Sequence, residues 1–422
     1  MTALLPETFR ALRVRNFRLF AGGQIVSVAG TWMMVVAQDW LVLGLTGDSG
    51  TALGTVTALQ FTPLLLFTLY GGRLADRYDK RMLLTITNLA SGALALLLSL
   101  LVFAGAAGLW HIYAFALGLG LVNSVEVPTR MAFVSELVGA ELLPNASALS
   151  AAYFNAARVV GPAVSGLLIT AVGTGWVMLV NAASYGATVV GLRLMRSAEL
   201  HRVAGGRTRS RVVDGLRYTV SRADLRVPMV LVAAIGLFGL NFQLTLPLLA
   251  KSVFHSDASS FGLLTAAFAA GSLMAAFATT ARRGRPPARL VTGSAVVFGV
   301  LETSVGLAPS YAAAVVLLFL TGFAAIYFAQ AANHRIQLGS DPRYRGRVLA
   351  LYTLILQGST PLGALLVGWL TERWGARSGF VVGGLASLTA AMVTVAAGRR
   401  HPRHTVRTGV PHGTVQKTRE PI

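Results

Sequence analysis

Long apolar runs separated by short polar connectors dominate this chain. A helix that crosses a hydrocarbon core of about 30 Å needs roughly 20 apolar residues. About twelve runs reach that length, and they cover residues 17–45, 51–72, 82–104, 110–128, 145–172, 176–195, 228–250, 260–281, 288–307, 311–333, 346–371 and 377–398. The pattern therefore predicts an all-α integral membrane protein with twelve transmembrane helices.

A polar and basic stretch divides these runs into six and six. We predict an N-terminal six-helix half at 1–195, a central cytoplasmic loop at 196–227 and a C-terminal six-helix half at 228–398. The last stretch, 399–422, is basic and has no apolar periodicity, so we expect a disordered cytoplasmic tail. No room remains for a soluble catalytic domain.

The basic residues lie almost entirely on one side of the predicted membrane. The chain has a formal net charge of +20, and 32 of its 36 Lys and Arg residues fall on the side of the termini. Lys251, Arg373 and Arg377 fall on the other side, and Arg158 falls within a span. Cytoplasmic loops of membrane proteins carry such an excess, so we predict cytoplasmic termini facing an anionic inner leaflet. This distribution needs no nucleic-acid partner, and a chain without cysteine has no disulfide or thiolate metal site.

A charged segment, 71–81, connects the second and third runs. It resembles the signature loop of the major facilitator superfamily, Gly-x-Leu-Ala-Asp-Arg-x-Gly-Arg-Arg. The matching residues are Gly72, Leu74, Ala75, Asp76, Arg77 and Arg81. Asp79 stands where the family usually has glycine. The resemblance implies two six-helix halves that rock about a central site, and it implies that Gly72, Asp76, Arg77 and Arg81 belong to a conformational gate.

The fifth run carries Arg158, the one basic residue deep inside a predicted span, one turn before Gly161 and Pro162. This segment partly resembles the antiporter motif of the superfamily's exporters, Gly-x-x-x-Gly-Pro-x-x-Gly-Gly. Small residues allow close helix approach and proline allows a bend. Arg158, Gly161 and Pro162 are therefore further gate candidates, and a plain packing face on a kinked helix is the alternative. By internal alignment, Gln357 is the neutral counterpart of Arg158.

Three acidic residues in the apolar runs are candidates for proton coupling. Asp39 is the first choice, and Glu302 and Glu126 follow. A charge at membrane depth is expensive, so such a carboxyl group faces the bundle interior or a wet cavity. The alternatives are an Asp39 that reaches outward to the membrane surface and a Glu126 that pairs with Arg130 at a solvated helix end.

The chain has no phosphate-binding loop, nucleophile elbow or metal-binding helix motif. We therefore predict that it is not an enzyme and uses no cofactor or metal, and that an ion gradient supplies its energy. Polar or aromatic residues within the runs are candidates to line a substrate cavity: Gln24, Trp32, Gln38, Gln60, Asn155, Asn241, Gln243 and Gln357. These residues carry no charge, which argues against a strongly charged substrate.

Two further segments, Leu45-Thr46-Gly47 and Arg345-Gly346-Arg347-Val348, resemble the enterobactin-exporter-like branch of the superfamily. The resemblance implies a monomeric exporter of the bacterial plasma membrane, which exchanges protons for an amphiphilic small molecule such as a drug or a siderophore. An importer remains an alternative, and so does a sensor or lipid scaffold that uses the same bundle without transport.

Overall fold

The computed structural model describes residues 9–201, 212–280 and 284–400, and within these ranges the regular structure is helical. Eleven helices in the described ranges are long and apolar enough to cross a membrane. Their bounds are Arg15–Thr46, Gly50–Arg77, Lys80–Phe103, Leu109–Val172, Thr174–Arg193, Asp224–Val253, Ala258–Thr280, Ala288–Gly306, Tyr311–Gly339, Arg345–Trp374 and Arg377–Arg400.

The helix Leu109–Val172 contains two spans. Its 64 residues would extend about 96 Å if straight, three times the thickness of a hydrocarbon core. Gly139 interrupts it with φ 70° and ψ 178°, a conformation that only glycine adopts readily. Glu136 and Asn145, on either side of Gly139, contact residues at the same end of the bundle. Residues 109–138 and 140–172 are thus the fourth and fifth spans, and the prediction of twelve spans is confirmed.

Short polar turns join the spans. Gly47 ends the first span in the left-handed region, and Ser49 caps the second by accepting a hydrogen bond from the Ala52 amide at 3.2 Å. Asp79 caps the third span in the same way, accepting from the Met82 amide at 2.9 Å. These turns leave little connecting chain, so consecutive spans run antiparallel.

Two predicted loops are shorter than expected. The second span continues through Arg77, and only Tyr78 and Asp79 separate it from the third, so most of segment 71–81 is helical. Basic residues at a helix C-terminus interact favourably with its dipole, which supports this extension. The predicted central loop contains a helix, Val212–Ser221, and the seventh span begins at Asp224 rather than 228. The tail that we predict to be disordered lies outside the described ranges from residue 401 onward.

The two ends of the bundle differ in their connections. The basic end carries Tyr78–Asp79, the chain after Arg193 and the turn at 340–344. The opposite end carries the turns at 47–49, 104–108, 254–257 and 375–376. We call these two faces of the bundle the basic end and the opposite end.

The halves pack on each other through the second and eleventh spans and through the fifth and eighth. Glycines allow this approach near the opposite end. A Cβ on Gly54 would lie 3.1 Å from the carbonyl carbon of Ala364, and one on Gly166 would lie 2.9 Å from the Cα of Ser259. Such backbone contacts are typical of helix packing in membranes. The eighth span is the counterpart of the second and the eleventh that of the fifth, so the two interfaces are equivalent to each other, as expected for related repeats.

Candidate functional site

Arg158 lies at the junction of the two halves, among aromatic side chains. Its guanidinium carbon is 5.6 Å from the ring centroid of Trp32 in the first span and 5.9 Å from that of Phe268 in the eighth. Phe154 packs edge-on against Trp32 at 6.0 Å. Arg158 is partly exposed and Phe154 is exposed, so this aromatic group borders open space.

The environment of Arg158 does not compensate its charge. In the described ranges it forms no ion pair with a carboxylate. Two cation–π contacts contribute about 0.5–2 kcal/mol each, whereas an arginine at the centre of a bilayer costs at least about 2.5–3.5 kcal/mol. The rings offset much of this cost but provide no counter-charge. Asp39 does not provide one either, since no ion pair joins it to Arg158.

Asp39 is buried in the first span with 2% of its surface exposed. It therefore does not reach outward to the membrane surface. The next residue, Trp40, stacks on Phe261 of the eighth span with 6.3 Å between ring centroids. Asp39 is thus buried on the first span, one residue before a contact with the other half of the protein.

Glu302 is equally buried, at 2% exposure, and its Oε2 atom also has no hydrogen-bond partner. A Cβ on Gly239 would lie 3.0 Å from that atom, and one on Gly383 would lie 3.1 Å from the Glu302 carboxyl carbon. Gly239 ends a widened helical turn, Ile235–Gly239, after which Leu240 and Asn241 leave helical geometry. The carboxyl group therefore lies beside an interruption in the seventh span, where backbone groups and not side chains surround it.

Glu126, the third acidic candidate, forms an ion pair within its own helix. Its Oε1 atom accepts a hydrogen bond from Nε of Arg130 at 2.9 Å, and both side chains are largely buried. This is the pairing expected for residues four apart. Glu126 is therefore already neutralised, unlike Asp39 and Glu302.

Of the gate candidates of the fifth span, Gly161 packs on the first span of its own half and Pro162 packs on the eighth span of the other half. A Cβ on Gly161 would lie 2.7 Å from the Trp32 Cβ. A Cβ on Gly262 of the eighth span would lie 3.2 Å from the carbonyl carbon of Pro162. Helical geometry continues past Pro162. This part of the fifth span is thus an unbroken helix that packs on the first span on one side and on the eighth span on the other.

The signature residues divide into paired and unpaired groups. Arg81 donates to Ser197 Oγ at 2.8 Å and to the Arg193 carbonyl at 3.0 Å, both in its own half. Asp76 is exposed and makes no ion pair with the part of the chain that the structure describes, and Arg77 contacts only the Tyr78 ring, at 5.8 Å. The exposed Asp76 is thus compatible with the pairing across the basic end that the predicted gate role requires.

Among the glycines of this segment, Gly71 rather than Gly72 makes the close approach. A Cβ on Gly71 would lie 2.9 Å from the Val125 Cα of the fourth span, whereas one on Gly72 would meet nothing within 4 Å. Close helix packing in this segment is therefore made by Gly71, and the gate role of Gly72 stays a prediction. The motif match alone could not reveal which of two adjacent glycines faces the neighbouring helix.

The predicted cavity residues do not form one surface. Gln24, Gln38 and Asn241 are at most 6% exposed and are packed between helices, so they do not line open space in this structure. Asn241 donates instead to the carbonyl of Leu237 at 2.9 Å. The side chains with partial or full exposure are Trp32, Gln60, Asn155, Gln243 and Gln357.

A set of contacts at the opposite end joins the halves and was not anticipated from the sequence. Asp48 pairs with Lys251 at 2.7 Å, and Lys251 Nζ lies 5.6 Å from the Trp40 ring centroid. Glu372 accepts from Ser49 Oγ at 2.9 Å and from the Thr51 amide at 3.2 Å. We call the Asp48–Lys251 ion pair and the Glu372 hydrogen bonds the opposite-end clasp. Its only sequence signal was opposite charge on facing turns of the two halves.

At the basic end, ion pairs tie residues of one half to each other. Lys80 pairs with Glu136 at 2.6 Å in the first half, and Arg285 pairs with Asp224 at 2.8 Å in the second. The structure thus combines a clasped opposite end with a basic end stabilised within each half.

Comparison with known proteins places this architecture in a family. The multidrug efflux pump Tap of Mycobacterium tuberculosis (strain ATCC 25618 / H37Rv) is 26% identical over 401 residues, covering 88% of this chain and 90% of that protein. The staphyloferrin A transporter of Staphylococcus aureus is 23% identical, covering 89% and 94%. A bacterial homologue of the lysosomal transporter Spinster, solved in an inward-facing unoccupied conformation, has a TM-score of 0.70 at 14% identity, covering 92% of this chain and 96% of that one.

The family described as transmembrane secretion effector matches residues 7–405 of the 422. This match includes all twelve spans, Arg158 and the opposite-end clasp. The chain therefore belongs to the major facilitator superfamily, as a multi-pass membrane transporter of the transmembrane secretion effector family.

Proposed function

We propose that this transporter is a monomeric, proton-coupled exporter of an amphiphilic small molecule, located in the bacterial plasma membrane with its basic end in the cytoplasm. The excess of Lys and Arg at that end supports the orientation. In this orientation the clasp closes the external side. The aromatic space around Arg158 then faces the cytoplasm, where export begins.

The efflux relatives support the direction of transport. Tap is named a multidrug efflux pump, and its likeness extends over nearly the whole of both chains. Transport against a gradient requires an energy source, and the sequence offers no nucleotide-binding loop. We therefore assign the energy source to protons moving inward down their gradient.

One observation carries the coupling proposal: Asp39 is a buried carboxyl group with an unpartnered oxygen, one residue before the Trp40–Phe261 contact that joins the two halves. Ionisable groups at membrane depth mark proton and ion pathways. A group at this contact is enclosed in one conformation and becomes accessible when the clasp opens. Asp39 can then accept a proton from outside and release it inside after the opposite rearrangement.

The test uses purified protein in liposomes that enclose a pH-sensitive dye, with a panel of toxic compounds and siderophores as substrates. Wild-type protein should move protons in a substrate-dependent manner, opposite to the substrate. Asp39→Asn should abolish this coupled flux while substrate binding remains, because asparagine cannot release a proton. Glu302→Gln should reduce the flux less, since Glu302 lies on the ninth span and packs against the seventh span of its own half.

Arg373→Met, which removes an exposed charge at the opposite end, provides a control for changes of charge. Normal proton-coupled export by Asp39→Asn would exclude Asp39 as the proton site. Substrate and protons moving in the same direction would identify an importer, and substrate binding without any flux would favour a sensor or scaffold.

A further inference from the structure

We propose that Arg158, together with Trp32 and Phe268, forms a subsite for the anionic group of the substrate, so that the transported amphiphile carries a carboxylate or a similar anion beside an apolar body. This inference rests on the proposed transport function. It departs from the expectation of an uncharged cavity and from the assignment of Arg158 to the gate alone.

The first argument is the position of the guanidinium between two rings. Trp32 and Phe268 contact it at 5.6 and 5.9 Å. Rings that stack near a guanidinium stabilise its charge but accept no conventional hydrogen bond. Arginine has five N–H donors in a planar fork that matches a carboxylate. These donors are therefore free to bind an anion while the rings hold the group in place.

The second argument is a comparison with Arg130, a largely buried arginine of the N-terminal half on the fourth span. Arg130 has its counter-ion, Glu126, at 2.9 Å on the same helix. For Arg158, the described parts of the chain offer no carboxylate within ion-pair distance, and Asp39 in particular forms no ion pair or hydrogen bond with it. Arg158 thus has the unfilled position that an anionic ligand would occupy.

The third argument is that this position joins the two halves. Trp32 and Arg158 belong to the N-terminal half and Phe268 belongs to the C-terminal half, and Gly161 packs on Trp32 one turn from Arg158. A ligand held here contacts both halves at once. The flanking rings, including the exposed Phe154, suit an aromatic or aliphatic body next to the anion.

The test compares two probes of nearly equal shape, 2-naphthoate and its neutral amide, 2-naphthamide. Binding is measured with purified protein in nanodiscs, and empty nanodiscs correct for partition into lipid. Wild-type protein should bind the carboxylate at least about tenfold more tightly than the amide, as expected for charge-assisted hydrogen bonds. This comparison needs no variant, so it stands even if a substitution prevents folding.

Variants then assign the preference to Arg158. Arg158→Gln should bind both probes equally, Arg158→Lys should keep part of the preference because it keeps the charge, and Arg130→Gln should keep all of it. The proposal is overturned if wild-type protein does not bind 2-naphthoate up to its solubility limit, if it binds both probes equally, if Arg158→Gln keeps the preference, or if Arg130→Gln loses it to the same extent.

The binding test and the transport test fail independently. A missing preference for the carboxylate removes the subsite and leaves proton-coupled export of other amphiphiles intact. Absent proton flux in liposomes, with the preference present, removes the coupling proposal and leaves the subsite intact.

Discussion

The opposite-end clasp predicts a measurable shift between conformations when Lys251 is replaced by methionine. Methionine is nearly as long as lysine and resembles its apolar stem, but it carries no charge. The variant loses the 2.7 Å ion pair with Asp48 and the cation–π contact with Trp40. The Glu372 hydrogen bonds remain, so the clasp is weakened and not abolished.

The magnitude follows from the exposure of the pair. The Lys251 and Asp48 side chains are 26% and 29% exposed, so the ion pair contributes about 0.2–1 kcal/mol. The cation–π contact adds about 0.5–1 kcal/mol at such a site. Together they amount to roughly 1–2 kcal/mol, which corresponds to a factor of about 5–30 in the equilibrium between closed and open clasp.

Thr371 is a suitable reporter because it is buried against Gly50 at the clasp and the chain has no cysteine. The labelling rate of Thr371→Cys by a maleimide should rise roughly 5–30-fold in Lys251→Met, in proportion to the open population. Asp48→Asn should have a smaller effect, because Trp40 still holds Lys251. Asparagine also tolerates the left-handed backbone of residue 48, whose φ is 69°.

Arg373→Met removes an exposed charge from the same end and serves as the control. A double-mutant cycle of Asp48→Asn and Lys251→Met isolates the pair itself. Equal labelling in Lys251→Met and the control, or full additivity in the cycle, would refute the reasoning.

Two further predictions use the same reporter. Asp76→Asn should leave expression unchanged and slow the labelling of Thr371→Cys, because it removes a partner that we expect to close the basic end when the clasp opens; unchanged labelling and transport would contradict this role. Gly54→Val should accelerate labelling, since its side chain would meet the Ala364 carbonyl group and overpacking typically costs about 1–3 kcal/mol. Gly72→Ala, with nothing within 4 Å, should behave as wild type.

The fold was largely predictable from the sequence because membrane spans are read from composition and length. Twelve apolar runs became twelve spans, and the two spans that share one continuous helix were still separated correctly by their polar middle. The helical part of segment 71–81 was missed because charged residues look like a loop in a hydropathy pattern, although a helix can extend beyond the lipid.

The candidate site was less predictable because polarity does not show which way a side chain faces. Gln24 and Gln38 are polar residues in apolar runs, yet both are buried in helix packing. Trp32 and Arg158 were identified as separate candidates, but their contact with Phe268 depends on how the halves meet. Likewise, Asp48 and Lys251 are far apart in the chain, and no local pattern connects them.

Asp39 and Glu302, two buried carboxyl groups with an unpartnered oxygen, each lie beside a residue whose segment leads to Lys251. Asp39 directly precedes Trp40, whose ring lies under the Lys251 ammonium group. Glu302 packs against Gly239 at the interruption of the seventh span, and Lys251 lies farther along that same span. A change at Glu302 can therefore move the segment that carries the lysine, while a change at Asp39 can move the ring beneath it. Because backbone interruptions bend more easily than continuous helix, the break after Gly239 gives the seventh span the freedom that such coupling requires.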